Sequence, residues 1–219
     1  TCIVVHGSAP KDFASSTIIP IPKKRNVNVA DSDNFRGIAL SSVYCKIFDN
    51  VVLEKFQNKL NTSELQFGFK RNSSTHKCTM VLKESISYYI KNRSSVFCTF
   101  LDASKAFDRV HYCKLFRMLI KRGLPASIVR ILIHLYTGHL VRVLWAGTAS
   151  NYFCAVNGVK QGGVVSPILF CIYIDELLIG LSESGYGCYL GVNFVGALAY
   201  ADDIVLICPT ATAMRKLLI

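Results

Sequence analysis

The segment ALAYADDIVL (197–206) sets two adjacent aspartates inside an otherwise apolar run. A carboxylate buried without a partner is costly, so this stretch cannot be one continuous buried strand or helix. Side chains alternate faces along a strand, so Asp202 and Asp203 cannot both point one way if the strand is regular. The apolar arms VGALAY and IVLIC therefore predict a β-hairpin with Ala201, Asp202 and Asp203 at its turn. One reading of that turn is a solvated one, because Asp is a common turn residue.

A second stretch, TFLDASKAF (99–107), also runs an apolar strand into an aspartate, Asp102. If the two strands are neighbours, three carboxylates converge, and like charges so placed call for cations. Hard oxygen ligands suit Mg²⁺. Two such ions about 3.5–4 Å apart can clamp the attacking and leaving oxygens of a phosphoryl displacement. The alternative for Asp102 alone is a helix N-cap, a frequent role for Asp.

Along the rest of the chain, residues 1–34 read as irregular, apart from STIIPIPKKR (16–25). That stretch predicts a short edge strand, because its prolines bar a central position. Apolar spacing predicts helices over 43–60, 75–92, 104–123, 125–138 and 166–184. FGFKRNSST (67–75) reads as a loop, VFCTFL (96–101) as a strand, and 141–147 with 151–156 as a hairpin. No internal repeat or linker is visible, and the mixture predicts an α+β chain.

The 219 residues carry a formal net charge of +11, which suits a polyanionic partner. Nine cysteines, an odd number, occur without a CxxC pair and sit mainly in apolar segments. They predict reduced thiols, several of them small core residues such as Cys98, Cys171 and Cys208, and no zinc site. The longest apolar stretch, 164–174, is broken by Ser166 and Pro167 and is too short for a bilayer span of about 20 residues. No signal peptide and no membrane partner are expected.

TFLDASKAFDRV (99–110), NGVKQGGVVSPILF (157–170) and YADD (200–203), in this order, resemble motifs A, B and C of reverse transcriptases, with the flavour of non-LTR (LINE-type) retrotransposon enzymes. IIPIPK (18–23), NFRGIALSSVYCKIFD (34–49) and QFGFKRNSST (66–75) resemble that family's fingers motifs, so the likeness spans nearly the whole chain. The resemblance implies a polymerase right hand, with an antiparallel palm sheet packed on helices. Residues 1–95 would form a fingers-like region with the start of the palm. Residues 96–219 would form the palm, ending before a thumb. It further implies RNA-directed DNA polymerase activity, adding dNTPs to a DNA primer 3′-hydroxyl on an RNA template. The alternative is a catalytically incomplete nucleic-acid-binding remnant of a retroelement. Thumb and endonuclease domains of a parent protein, and an intracellular, nuclear site of action, are implied in the same way.

Carried over residue by residue, the resemblance implies that Asp102 and Asp202 bind two Mg²⁺ ions, for which Mn²⁺ can substitute. The Ala103 carbonyl would assist and Asp203 would complete the catalytic set. Arg36 and Lys23 would contact the triphosphate. Gln161 and Gly162 would lie near the incoming nucleotide, where glycine allows close backbone approach. Phe107 would pack beneath the sugar and exclude a 2′-hydroxyl; by spacing alone it also reads as a helix core residue. Gln66, Phe69 and Arg71 would lie near the template. The chain departs from many relatives at Gly37, where they carry proline, and at Gly163-Val164-Val165, where they carry a more polar segment.

Overall fold

The structure is a computed structural model that describes residues 3, 6, 7, 10–26 and 28–219. The irregular reading of 1–34 therefore falls partly on residues outside the described ones. The fold is mixed, with helices and sheets, and divides into two compact units. One unit comprises Thr1–Leu60 and Phe107–Leu169, the other Asn61–Ala106 and Phe170–Ile219.

The first unit carries a five-stranded sheet. Its Ser15–Pro22 strand pairs antiparallel with Phe35–Ser41 and parallel with Leu140–Trp145, to which Thr148–Ala149 and Phe153–Cys154 add. The proline-bearing strand is thus internal to the sheet, contrary to the edge position expected. The parallel ladder ends at Ile18, before Pro20 and Pro22, so the prolines lie where the strand has one neighbour only. This satisfies the rule that proline cannot donate to a ladder without moving the whole strand to an edge. Its antiparallel partner, Phe35–Ser41, has no strand signal in the sequence beyond a few apolar residues around Gly37.

Two amphipathic helices, Tyr112–Lys121 and Ala126–Thr137, pack on each other in this unit. They bury Leu115, Phe116 and Leu119 on one, and Ile128, Ile131, Leu132 and Leu135 on the other. The i, i+3, i+4 spacing of these residues is what makes each an apolar stripe. Gly123, at φ +77°, follows the first helix. That helix starts at Tyr112, not at Ser104 as the apolar spacing predicts. Lys105 is left-handed (φ +54°), and Ala106–Arg109 is only a 3-10 turn. An α-helical hydrogen-bond ladder cannot run through such a residue, so Asp102 does not cap this helix.

The second unit is built on a three-stranded antiparallel sheet, ordered Phe97–Leu101, Asp203–Cys208, Ala197–Tyr200. Its central strand is buried at every residue after Asp203. Alternation explains why the run IVLIC has no polar break. Val205 and Ile207 join Phe67, Cys78 and Leu198 on one face, whereas Ile204, Leu206 and Cys208 join Leu178, Ala199 and Met214 on the other. Both faces are covered, and each fully buried Leu or Ile contributes about 1.5–3 kcal/mol relative to exposure. The Thr75–Lys91 helix, capped by the Ser74 hydroxyl accepting from Lys77 N–H, supplies Cys78, Val81 and Leu82 to the first face. Tyr89 on the same helix exchanges two hydrogen bonds with the Tyr189 backbone through its hydroxyl, at 2.8 and 3.0 Å.

Eight described cysteines are free thiols, five of them buried. Cys98, expected in the core, is exposed. Among the described residues no helix is long and apolar enough to cross a membrane.

Candidate active site

In the second unit the three aspartates lie at the same end of the three-stranded sheet. Antiparallel register pairs Ile204 with Leu101. Asp203 precedes Ile204 and Asp102 follows Leu101, so both lie just past the last pair of that ladder. Asp203 is paired with Tyr200 across the hairpin, and Asp202 occupies the turn between them. Asp102, Ala103 and Asp203 are exposed, and Asp202 is half-buried. These are hard oxygen donors of the type Mg²⁺ takes. The backbone supplies proximity; among the described residues, no group of three or more His, Cys, Asp or Glu side chains is gathered as a metal site.

The turn itself is held from behind. Ala201 is left-handed, with φ +59°, and buried. Leu65 and Phe67 pair with Ala199 through two backbone bonds of 2.8 Å, forming an isolated parallel bridge. Gln66, between them, is 1% exposed. Its Oε1 accepts from Ala201 N–H (2.9 Å) and Gly68 N–H (2.8 Å), and its Nε2 donates to the Ala201 carbonyl (3.2 Å). Gly68 packs so closely that a Cβ there would overlap Ala201 N. The Gln66 carboxamide, which the resemblance sets near a template, is thus buried and bonded to the aspartate turn. Phe69 and Arg71, beyond it, are exposed. Lys70 turns inward, donating to the Ser63 carbonyl at 2.6 Å and pairing with Glu64 at 3.4 Å.

In the first unit Gln161 and Gly162 lie against the strand that carries Arg36, and Phe107 is bonded to the segment that leads into them. Val159 N–H donates to the Phe107 carbonyl (2.8 Å) and Gly158 N–H to that of Val110 (3.0 Å), tying the two segments together. The Gln161 carbonyl accepts from Ala39 N–H (2.6 Å), and its side chain donates to Asp108 (3.4 Å). Gly162 sits at φ +98°, where a Cβ would lie 3.1 Å from the Ala39 carbonyl oxygen. Only glycine tolerates that combination without strain. Arg36 and Lys23 are exposed on this unit, Lys23 closing the end of the two-stranded ladder through its N–H to the Asn34 carbonyl (2.9 Å).

Below Gln161 lies a buried polar group that the sequence reading did not single out. Asp49 is 6% exposed, and its carboxylate accepts from Val165 N–H (3.4 Å) at the start of the Ser166–Glu183 helix. Burial raises the Asp49 pKa against the pull of the Val165 and Val164 N–H groups and Lys160. Burial also lowers the Lys160 pKa, and its ammonium lies 5.2 Å from the Tyr136 ring centroid. The Tyr136 and Ser166 hydroxyls share a hydrogen bond of 3.1 Å. His139, buried nearby, is pushed down to about 3 by burial first and Lys160 second, and its Nε2 has no hydrogen-bond partner among the described residues. A signal for Asp49 was available: it shares a buried helical stripe with Cys45 and Val52, at spacings of four and three.

Residues 21–219 match the family model described as reverse transcriptase (RNA-dependent DNA polymerase). The chain belongs to the reverse transcriptase family. It is 28% identical over 212 residues to the Retrovirus-related Pol polyprotein from type-2 retrotransposable element R2DM of Drosophila melanogaster, covering 97% of this chain and 20% of that one. To the corresponding R2 polyprotein of Nasonia vitripennis it is 26% identical over 213 residues, with the same coverages. It is also similar to the RNA-directed DNA polymerase from mobile element jockey of Drosophila melanogaster, at 25% over 175 residues, covering 78% of this chain and 19% of that one. These relatives bear out the likeness to non-LTR elements, and this reverse transcriptase chain spans about a fifth of the length of each. Among solved structures, apo telomerase from Candida tropicalis superposes with a TM-score of 0.65 at 14% identity, covering 93% of this chain and 41% of that one. That likeness is one of fold.

Proposed function

We propose that this chain carries the nucleotidyl-transfer site of an RNA-directed DNA polymerase, extending a DNA primer on an RNA template. The observation that carries the reading is the strand register that ends at Leu101 and Ile204, just before Asp102 on one strand and just after Asp203 and the Asp202 turn on the other. Asp102, the Ala103 carbonyl and Asp202 would hold two Mg²⁺ ions, or Mn²⁺, with Asp203 completing the acidic edge. Ions bound there would lower the pKa of the primer 3′-hydroxyl and offset charge on the triphosphate.

The chain's own residues do the positioning, which is most of the work in phosphoryl transfer. Arg36 and Lys23 hold the triphosphate by charge. Gln161 and Gly162 border the incoming nucleotide, and Phe107 excludes a ribose 2′-hydroxyl. Phe69 and Arg71 meet the template, Arg71 through phosphate and without sequence preference. In this reading 1–95 is a fingers-like region with the start of the palm, and 96–219 is palm. The net charge of +11 suits the nucleic-acid partners, and a nuclear site of action belongs to the same proposal.

The test is primer extension on an RNA template with Mg²⁺, comparing the wild-type chain with Asp202→Asn. Template-dependent extension by the wild type, lost on removing Mg²⁺ or in the variant, is expected. Extension that survives Asp202→Asn would refute the assignment.

A further inference from the structure

A tight turn that must aim two charged side chains has to be fixed, and an alanine at φ +59° does not fix itself. The left-handed conformation costs an L-residue roughly 1–2 kcal/mol. Ala201 is also buried, so its N–H and C=O must find partners inside the protein. Gln66 supplies both.

The backbone of Leu65–Phe67 pairs with Ala199 as a short parallel strand would. The Gln66 side chain continues that ladder to Ala201, accepting from its N–H and donating to its carbonyl. The same Oε1 accepts from Gly68 N–H, which fixes the carboxamide's own orientation. The chemistry selects the residue type: one oxygen must take two N–H groups while the adjacent atom donates. Asparagine is one methylene short, an ionised glutamate has no donor, and methionine has neither group.

We propose that Gln66 is a positioning residue, whose buried carboxamide locks Ala201 and thereby sets the direction in which Asp202 and Asp203 present their carboxylates. The proposal rests on the reading of those aspartates as the catalytic edge. It makes the 65–68 segment a backing for the acidic turn and leaves template contact to residues beyond it.

Two measurements on the same samples test it. The first is amide hydrogen exchange at Ala201, which needs no catalysis. Protection in the wild type, lost in Gln66→Met, is expected; equal protection in both would overturn the clamp. The second is primer extension by wild type, Gln66→Met and Gln66→Glu from pH 5.5 to 8.5, well below the melting temperature of each. Gln66→Met is expected to lower kcat by roughly 10- to 100-fold, the scale of a small misplacement of reacting groups. Its dNTP KM should stay close to the wild-type value. In Gln66→Glu the introduced carboxyl, once protonated, can donate to the Ala201 carbonyl as the amide does. The deficit of that variant relative to wild type should therefore shrink as pH falls. That of Gln66→Met should stay flat.

A merely structural role would move the melting temperature and leave kcat of the folded variants unchanged, and that result would overturn the proposal. So would a Gln66→Glu deficit that tracks Gln66→Met at every pH. A wild type that protects Ala201 but shows no Mg²⁺-dependent extension would instead overturn the functional reading, and with it the catalytic half of this proposal.

Discussion

Acidification should destabilise this protein through His139. The residue is 3% exposed, its Nε2 lacks a partner among the described residues, and burial with Lys160 nearby pushes its pKa from 6.5 to about 3. A base whose pKa is depressed by folding stays neutral in the native state while the unfolded chain takes up a proton. The stability it contributes is therefore complete above pH 6.5 and is lost as pH falls from there towards 3. The slope approaches about 1.4 kcal/mol per pH unit within that window. Going from pH 7.5 to 5.0 crosses about 1.5 units of it, an upper figure of about 2 kcal/mol. Urea denaturation of wild type and His139→Leu at both pH values isolates this contribution, because the other histidines and the carboxylates are common to both proteins. The wild type should lose about 1–2 kcal/mol more than the variant on acidification. Equal losses would show that His139 is charged in the folded state, or hydrated well enough to titrate normally, and would refute the argument.

Gly162→Ala should destabilise the protein by about 1–3 kcal/mol, the usual cost of a side chain in a sparsely populated conformation, and should also slow extension. Gly147→Ala is the control: it too has positive φ, at +82°, but a Cβ there would meet no atom of the described residues within 4 Å. Denaturant midpoints of the pair should therefore separate, with Gly162→Ala the lower. Phe107→Val should raise ribonucleotide incorporation relative to deoxyribonucleotides in primer extension; unchanged sugar preference would return Phe107 to a packing role.

How much of this was legible in the sequence depends on whether a feature is local. The acidic hairpin was readable because burying Asp202 and Asp203 is so unfavourable that the apolar arms had to end there. The helix from Ser166 was readable for the opposite reason, a long apolar run with Pro167 in its first turn, where its missing N–H costs nothing. The 35–41 strand was not, because it is stabilised by pairing with 15–22, and its own residues, Arg36 and Gly37 among them, do not favour a strand. The late start of the 112–121 helix was hidden because Lys105 adopts a left-handed conformation that its residue type does not announce. The bonds of Gln66 to Ala201 were not legible for a further reason: the partner lies 135 positions away in the chain.

The central claim is that Asp102 and Asp202 serve one divalent-ion site. Mn²⁺ titration of the wild-type chain, followed by electron paramagnetic resonance of the free ion, tests it without requiring turnover. Asp102→Asn and Asp202→Asn should each abolish the tight binding seen in the wild type. Tight binding that survives either substitution would place the ion elsewhere and contradict the shared site.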